Sequence, residues 1–207
     1  MFTKILICLA IGYAFGCFST GYVVGRLNHI DIRNYGSKSA GATNAIRTLG
    51  WKAGAITFLG DAIKAIIAIL LVRYLIFPSE DYVQLLKLYT GVGVVLGHNY
   101  PFWLRFKGGK GIAATGGIML AFDYRLALAA MILFILVVAV SRFVSLGSLM
   151  ISALFPVFIY FMYPKDIHML IVSIVFTISA FMKHRTNIQR LMNGTENKIG
   201  QKIKIEK

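Results

Sequence analysis

Apolar runs about as long as a membrane is thick dominate this chain. They cover 5–24, 53–77, 85–96 with its flanks, 126–140, 146–163 and 168–182. Most approach the ~20 residues with which a helix crosses a hydrocarbon layer of ~30 Å. A chain of 207 residues that is 57% hydrophobic, with a mean hydropathy of +0.72, carries more apolar sequence than a soluble core of that size requires. One further stretch, 111–122 (GIAATGGIMLAF), spans only about 18 Å as a helix, so it reads as short or partly inserted. The expectation is an all-α, polytopic integral membrane bundle of about seven transmembrane or partly inserted helices. It forms a single membrane domain over 1–207 with a short basic cytoplasmic C-terminal tail.

The first run has Lys4 ahead of it, as a signal peptide would, yet it is long and lacks a small-x-small cleavage site. Gly12, Gly16, Gly21 and Gly25 form small-xxx-small pairs suited to close helix packing, which predicts a retained span. Cys8 and Cys17 share that span and form no metal motif.

Charge gives the orientation. The net charge is +14, and 16 of the 22 Lys and Arg residues fall in 26–52, 105–110, 142 and 183–207. The cytoplasmic bias of Lys and Arg in membrane proteins accounts for this without a nucleic-acid partner. It predicts an outside N-terminus, a cytoplasmic C-terminus, and short outer turns at 78–81 (PSED) and 163–166 (YPKD).

The cytoplasmic segments are too polar and too rich in glycine to be plain connections. In 34–50 (NYGSKSAGATNAIRTLG), Gly36, Ser37, Ser39, Gly41, Thr43 and Asn44 can gather N–H and hydroxyl groups around an anion. Arg47 adds a planar fork for two phosphate oxygens. A flexible basic loop explains the same residues. In 97–117, Lys107, Gly108, Gly109, Lys110 and Gly111 lead into the short apolar helix, an arrangement that offers free N–H groups and a positive dipole end to phosphate. It is not a Walker A loop, because Gly111 follows Lys110 and Leu104 stands at the first glycine's place. A charge cluster beside a glycine-rich helix is the plainer reading. In 184–200, His184 and Asn187 share a helical face, Gly194 suggests a helix stop, and Glu196 can cap or pair with a neighbouring base. A lipid-binding basic tail is the alternative there. Asp61 and Lys64 are spaced to meet within the second span and read as a structural pair, while Ser145 and Ser148 begin a span where they can cap it or touch a ligand.

No carboxylate cluster suits Mg²⁺ or Ca²⁺, no GxSxG elbow is present, and no histidine has Asp five places after it. Neither metal nor cofactor is expected.

Together GYVVGRL, GSKSAGATNAIR, GDAIKA, FKGGKGIAAT, RFVSLGS and HRTNIQRLMNGTEN resemble the bacterial acyl-phosphate:glycerol-3-phosphate acyltransferase family, in the family's order and over almost the whole chain. The resemblance implies a monomeric seven-helix enzyme of the bacterial inner membrane, working in phospholipid biosynthesis with a cytoplasmic site. It implies acyl phosphate as donor, with neither CoA nor acyl carrier protein, and 1-acyl-glycerol 3-phosphate (lysophosphatidic acid) as product. It places Arg47, Lys107, His184 and Asn187 as catalytic residues, and Ser37, Gly41, Thr43, Asn44, Gly108, Gly109, Lys110 and Ser145 as substrate-binding, to which the reading of 184–200 adds Glu196. It also points to the donor's own phosphate as proton acceptor, with His184 the other candidate. The chain departs from the family at Lys38 and Ser39, where GSKS replaces the common GSGN, and at 17–19, which lacks the usual Ser-x-Pro. Rival readings are an anion transporter, which usually shows the paired halves missing here, and a basic scaffold for membrane lipid.

Overall fold

A computed structural model describes residues 1–201, so Lys202, Lys204 and Lys207 of the expected basic tail lie outside the described residues. The first apolar run is two helices, α1 (Phe2–Cys17) and α2 (Thr20–Leu27), separated by extended backbone at Phe18 and Ser19. The break leaves helix-end carbonyls without intrahelical partners at a depth where an unmet polar group is costly. Lys64 meets them: its Nζ donates to the carbonyls of Gly16 (3.1 Å) and Phe18, and pairs with Asp61 at 2.9 Å. Thr20 donates to the same Asp61 oxygen at 3.2 Å. The structural pair read from the sequence therefore also fastens the broken span.

The remaining helices are α3 (Ala42–Leu49), α4 (Trp51–Leu71) continued by a π turn (Val72–Ile76), α5 (Val83–Asn99), α6 (Ile112–Phe122), α7 (Tyr124–Ser141), α8 (Val144–Met162), α9 (Ile167–Lys183) and α10 (Arg185–Met192). Each expected apolar segment is present in order, and α6 is short as predicted. Among the described residues, 4 spans are long and apolar enough to cross a membrane, or 5 if α9 and α10, bent by 62°, count as one. Seven is thus a loose count of crossings, because α5 and α6 fall short on length.

α5 is buried along most of its surface, with Leu88 and Val94 packed into a core shared with Ile118, Met119, Phe155 and Ile159. By contrast α7 leaves Leu128, Met131, Ile132, Ile135 and Leu136 exposed, the apolar exterior expected of a helix facing lipid. α1 and α5 approach backbone to backbone through reciprocal glycines. Gly12 and Gly16 lie against Gly93 and Val94, while Gly93 and Gly97 face the Leu9 and Tyr13 carbonyls. A Cβ on Gly93 would fall on the Leu9 oxygen, whereas one on Gly116 meets nothing within 4 Å. Gly93→Ala is expected to destabilise the protein by about 1–3 kcal/mol, the cost of overpacking. Gly116→Ala should leave the thermal midpoint in detergent unchanged or slightly raised.

The polar segments gather at one end of the bundle. Ala40 N–H donates to the Gly108 carbonyl (3.5 Å), Arg33 donates to the Leu104 (3.3 Å) and Lys107 (3.1 Å) carbonyls, and Ile199 N–H donates to the Arg142 carbonyl (2.8 Å).

Candidate active site

Asn44 sets the shape of the first loop. Its amide nitrogen reaches the carbonyls of Ile32 (2.8 Å), Tyr35 (3.1 Å) and Ser39 (2.9 Å), and its oxygen accepts from the Ser37 N–H (2.9 Å). The side chain expected to bind substrate is therefore saturated by its own loop. What it does is hold Ser37, Ser39, Gly41 and Thr43 around the mouth of a cleft of about 120 Å³.

Three helices begin on that cleft: α3 at Gly41–Thr43, α6 at Gly111–Ala113 and α8 at Val144–Ser145. None of the three has a side-chain cap, so first-turn N–H groups with no intrahelical acceptor are presented there. Gly111 enters α6 with φ +82°, a conformation that glycine adopts without penalty.

The charges add to this positive field. Arg47 is only 9% exposed, yet among the described residues its guanidinium has no ion-pair partner and a single long hydrogen bond, to the Asn197 carbonyl at 3.5 Å. Burial lowers its pKa, but a guanidinium keeps its charge in proteins. Lys110 donates to Asn187 Oδ1, and burial brings its ammonium down to about 8. Asn187 in turn donates to Glu196 (2.7 Å), which also accepts from Ser145 (3.0 Å) and Arg190 (2.7 Å). Burial alone would raise the Glu196 carboxyl; those hydrogen bonds outweigh it and hold it below the usual carboxylate range. His184 Nδ1 lies 2.8 Å from the Ala180 carbonyl, which can only accept, so the proton is on Nδ1 and Nε2 is free to accept. Burial, and then the Lys110 charge, bring His184 down to about 4, so the ring is neutral at physiological pH.

The structure thus brings Ser37, Gly41, Thr43, Asn44, Arg47, Lys110, Ser145, His184, Asn187 and Glu196 to one cleft. It does not bring Lys107 there. Left-handed backbone at Arg105 and Phe106 turns the chain, leaving the Lys107 side chain exposed on a separate cleft with Arg33 and Lys38. Nor do Gly108 and Gly109 cradle an anion with their amides. Those N–H groups donate to the Asn99 (3.3 Å) and His98 (3.0 Å) carbonyls, and a Cβ on Gly109 would strike the His98 ring. Both glycines serve close packing on the end of α5.

Ser39 and Ser148 line the cleft as their place in the sequence allowed, but sequence reasoning missed that Asp61 and His98 form part of its wall. A histidine closing an apolar run just before the glycine-rich stretch was an available signal. Among the described residues, no cluster of His, Cys, Asp and Glu has metal-ligating geometry.

The family model for glycerol-3-phosphate acyltransferase matches residues 6–194. The chain belongs to that family. The glycerol-3-phosphate acyltransferase of Clostridioides difficile is 43% identical over 98% of both chains, and that of Alkaliphilus metalliredigens 40% identical over 97% of this chain and 98% of the relative. Among solved structures, PlsY (YgiH), an integral membrane glycerol 3-phosphate acyltransferase, superposes in its glycerol 3-phosphate form with a TM-score of 0.85, at 34% identity over 95% of this chain and 96% of that one. Its lysophosphatidic acid form gives 0.82 at 32% identity. As a member of the glycerol-3-phosphate acyltransferase family this chain is a membrane acyltransferase, which sets aside the transporter and scaffold readings.

Proposed function

We propose that the chain transfers a fatty acyl group from acyl phosphate to the 1-hydroxyl of glycerol 3-phosphate, releasing lysophosphatidic acid and inorganic phosphate. The observation that carries this reading is Arg47: a buried guanidinium with no carboxylate partner among the described residues, beside Lys110 and three uncapped helix starts. Such a site favours anions, and a donor and an acceptor that both carry phosphate repel each other unless cations stand between them. The acceptor and product named for the PlsY structures support the same chemistry.

In the proposed step the acceptor's hydroxyl oxygen attacks the acyl carbonyl carbon, a carbon–oxygen bond forms, and the bond from the acyl carbon to the phosphate oxygen breaks. The hydroxyl proton leaves with the departing phosphate. The departing phosphate gains basicity as its bond to the acyl carbon breaks, whereas burial holds His184 down at about 4, so phosphate is the better base of the two. His184 Nε2 orients the hydroxyl, Asn187 holds Lys110 in place, and the helix starts stabilise charge on the leaving group. The enzyme acts as a monomer in the bacterial cell membrane, with its N-terminus outside and the cleft on the cytoplasmic side, and needs no metal or CoA.

Purified protein in detergent, given acyl phosphate and glycerol 3-phosphate, should form a lysolipid. Lysolipid formed only when acyl-CoA replaces acyl phosphate would overturn the proposal. The pH dependence follows from Lys110. Its charged form attracts the acceptor, and that form is lost as pH rises through about 8. The apparent KM for glycerol 3-phosphate is therefore expected to climb, by roughly tenfold at most one unit above that point. Lys110→Arg, which stays charged, should flatten this limb.

A further inference from the structure

A second cleft, of about 750 Å³, lies between the 31–38 and 103–108 loops and is separate from the transfer site. Its walls are fixed. Arg33 bonds Asp31 through Nε and NH2, donates to the Leu104 and Lys107 carbonyls, and stacks over Tyr22 at 4.9 Å. Tyr22 meets Trp103 edge to face at 5.3 Å, and Trp103 donates to the Cys17 carbonyl at 2.9 Å. Asp31, the one carboxylate on this cleft among the described residues, is committed to Arg33. Lys38, Arg105 and Lys107 remain there with no ion pair or side-chain hydrogen bond among the described residues, and Lys183 adds a fourth cation over Tyr100.

The backbone at this cleft is under strain. Five non-glycine residues have positive φ among those described, and three of them, Lys38 (54°), Arg105 (55°) and Phe106 (58°), line it. Lys38 is one of the departures in GSKS: a side chain is carried at a conformation suited to glycine, and it places a cation on the cleft wall. Beside the cations, Phe102 and Phe106 are 63% and 60% exposed at the end of the bundle where α2, α5 and α9 terminate. A soluble phosphate compound has no use for such an apolar rim, whereas a lipid offers a phosphate to the cations and chains to the rings.

We propose that this cleft binds the phosphate headgroup of an anionic membrane phospholipid, held by Lys38, Arg105 and Lys107 with its acyl chains against Phe102 and Phe106. The whole protein in detergent is titrated with phosphatidylglycerol or phosphatidylcholine and read by native mass spectrometry, with and without inorganic phosphate. Phosphatidylglycerol should be retained over phosphatidylcholine, and inorganic phosphate should not displace it. Lys38→Gly with Arg105→Gly removes two cations and relaxes two left-handed residues. Retention should fall roughly tenfold or more while the thermal midpoint holds or rises. Lys107→Gln, at an exposed side chain, gives a second reading and should weaken retention severalfold. Unchanged retention in these variants, equal retention of the two lipids, or displacement by inorganic phosphate would each overturn the proposal.

Discussion

Replacing Arg47 with alanine is expected to raise the apparent KM for glycerol 3-phosphate by roughly two to four orders of magnitude. Hydrogen bonds to charged groups contribute about 1.5–3 kcal/mol each, and a guanidinium offers two in parallel to phosphate oxygens. At about 1.4 kcal/mol per decade, a lost fork amounts to that range. The requirement for acyl donor should change less, and equal changes in both would assign Arg47 to the donor or to the fold. Stability separates the last two cases. Arg47 is buried without an ion pair among the described residues, so its removal relieves desolvation, and the thermal midpoint should stay level or rise. A fall of several degrees would instead make it a structural residue. Arg47→Lys keeps the charge without the fork and should lie between wild type and alanine.

His184→Ala is expected to lower kcat/KM for glycerol 3-phosphate roughly 10- to 100-fold, the worth of one well-placed hydrogen bond. His184→Gln should keep a sizeable share of activity, because its amide oxygen can accept from the substrate hydroxyl while its amine group faces the Ala180 carbonyl. Glutamine cannot take a proton. If it proved as inactive as alanine with substrate binding intact, His184 would be the base and the phosphate would not. The low pKa favours the first outcome, since a base poised near 4 is poorly matched to neutral conditions.

Apolar content and length made the apolar helices legible, including the truncated α6, because membrane crossing imposes both. The break at Phe18 and Ser19 was not legible: it depends on Lys64, 46 residues later, supplying hydrogen bonds to the freed carbonyls. The site was read as three separate strings, and which members face the cleft was beyond spacing alone. Lys107 and Lys110 look equivalent in FKGGKG, yet the left-handed turn at Arg105 and Phe106 exposes one, while the other is drawn to Asn187. Asn44 looked like a ligand because polar side chains in glycine-rich loops often are, but the carbonyls of its own loop consume it. His98 and Asp61 join the wall only once α4 and α5 pack side by side.

The uncapped starts of α3, α6 and α8 have a consequence for how this enzyme tolerates change. Peptide groups are present whatever residues occupy 42, 112 or 144, so their share of the attraction for phosphate survives almost any side-chain replacement; proline, which lacks the hydrogen, is the exception. Combined losses at the cleft should therefore level off at a residual affinity instead of multiplying to zero.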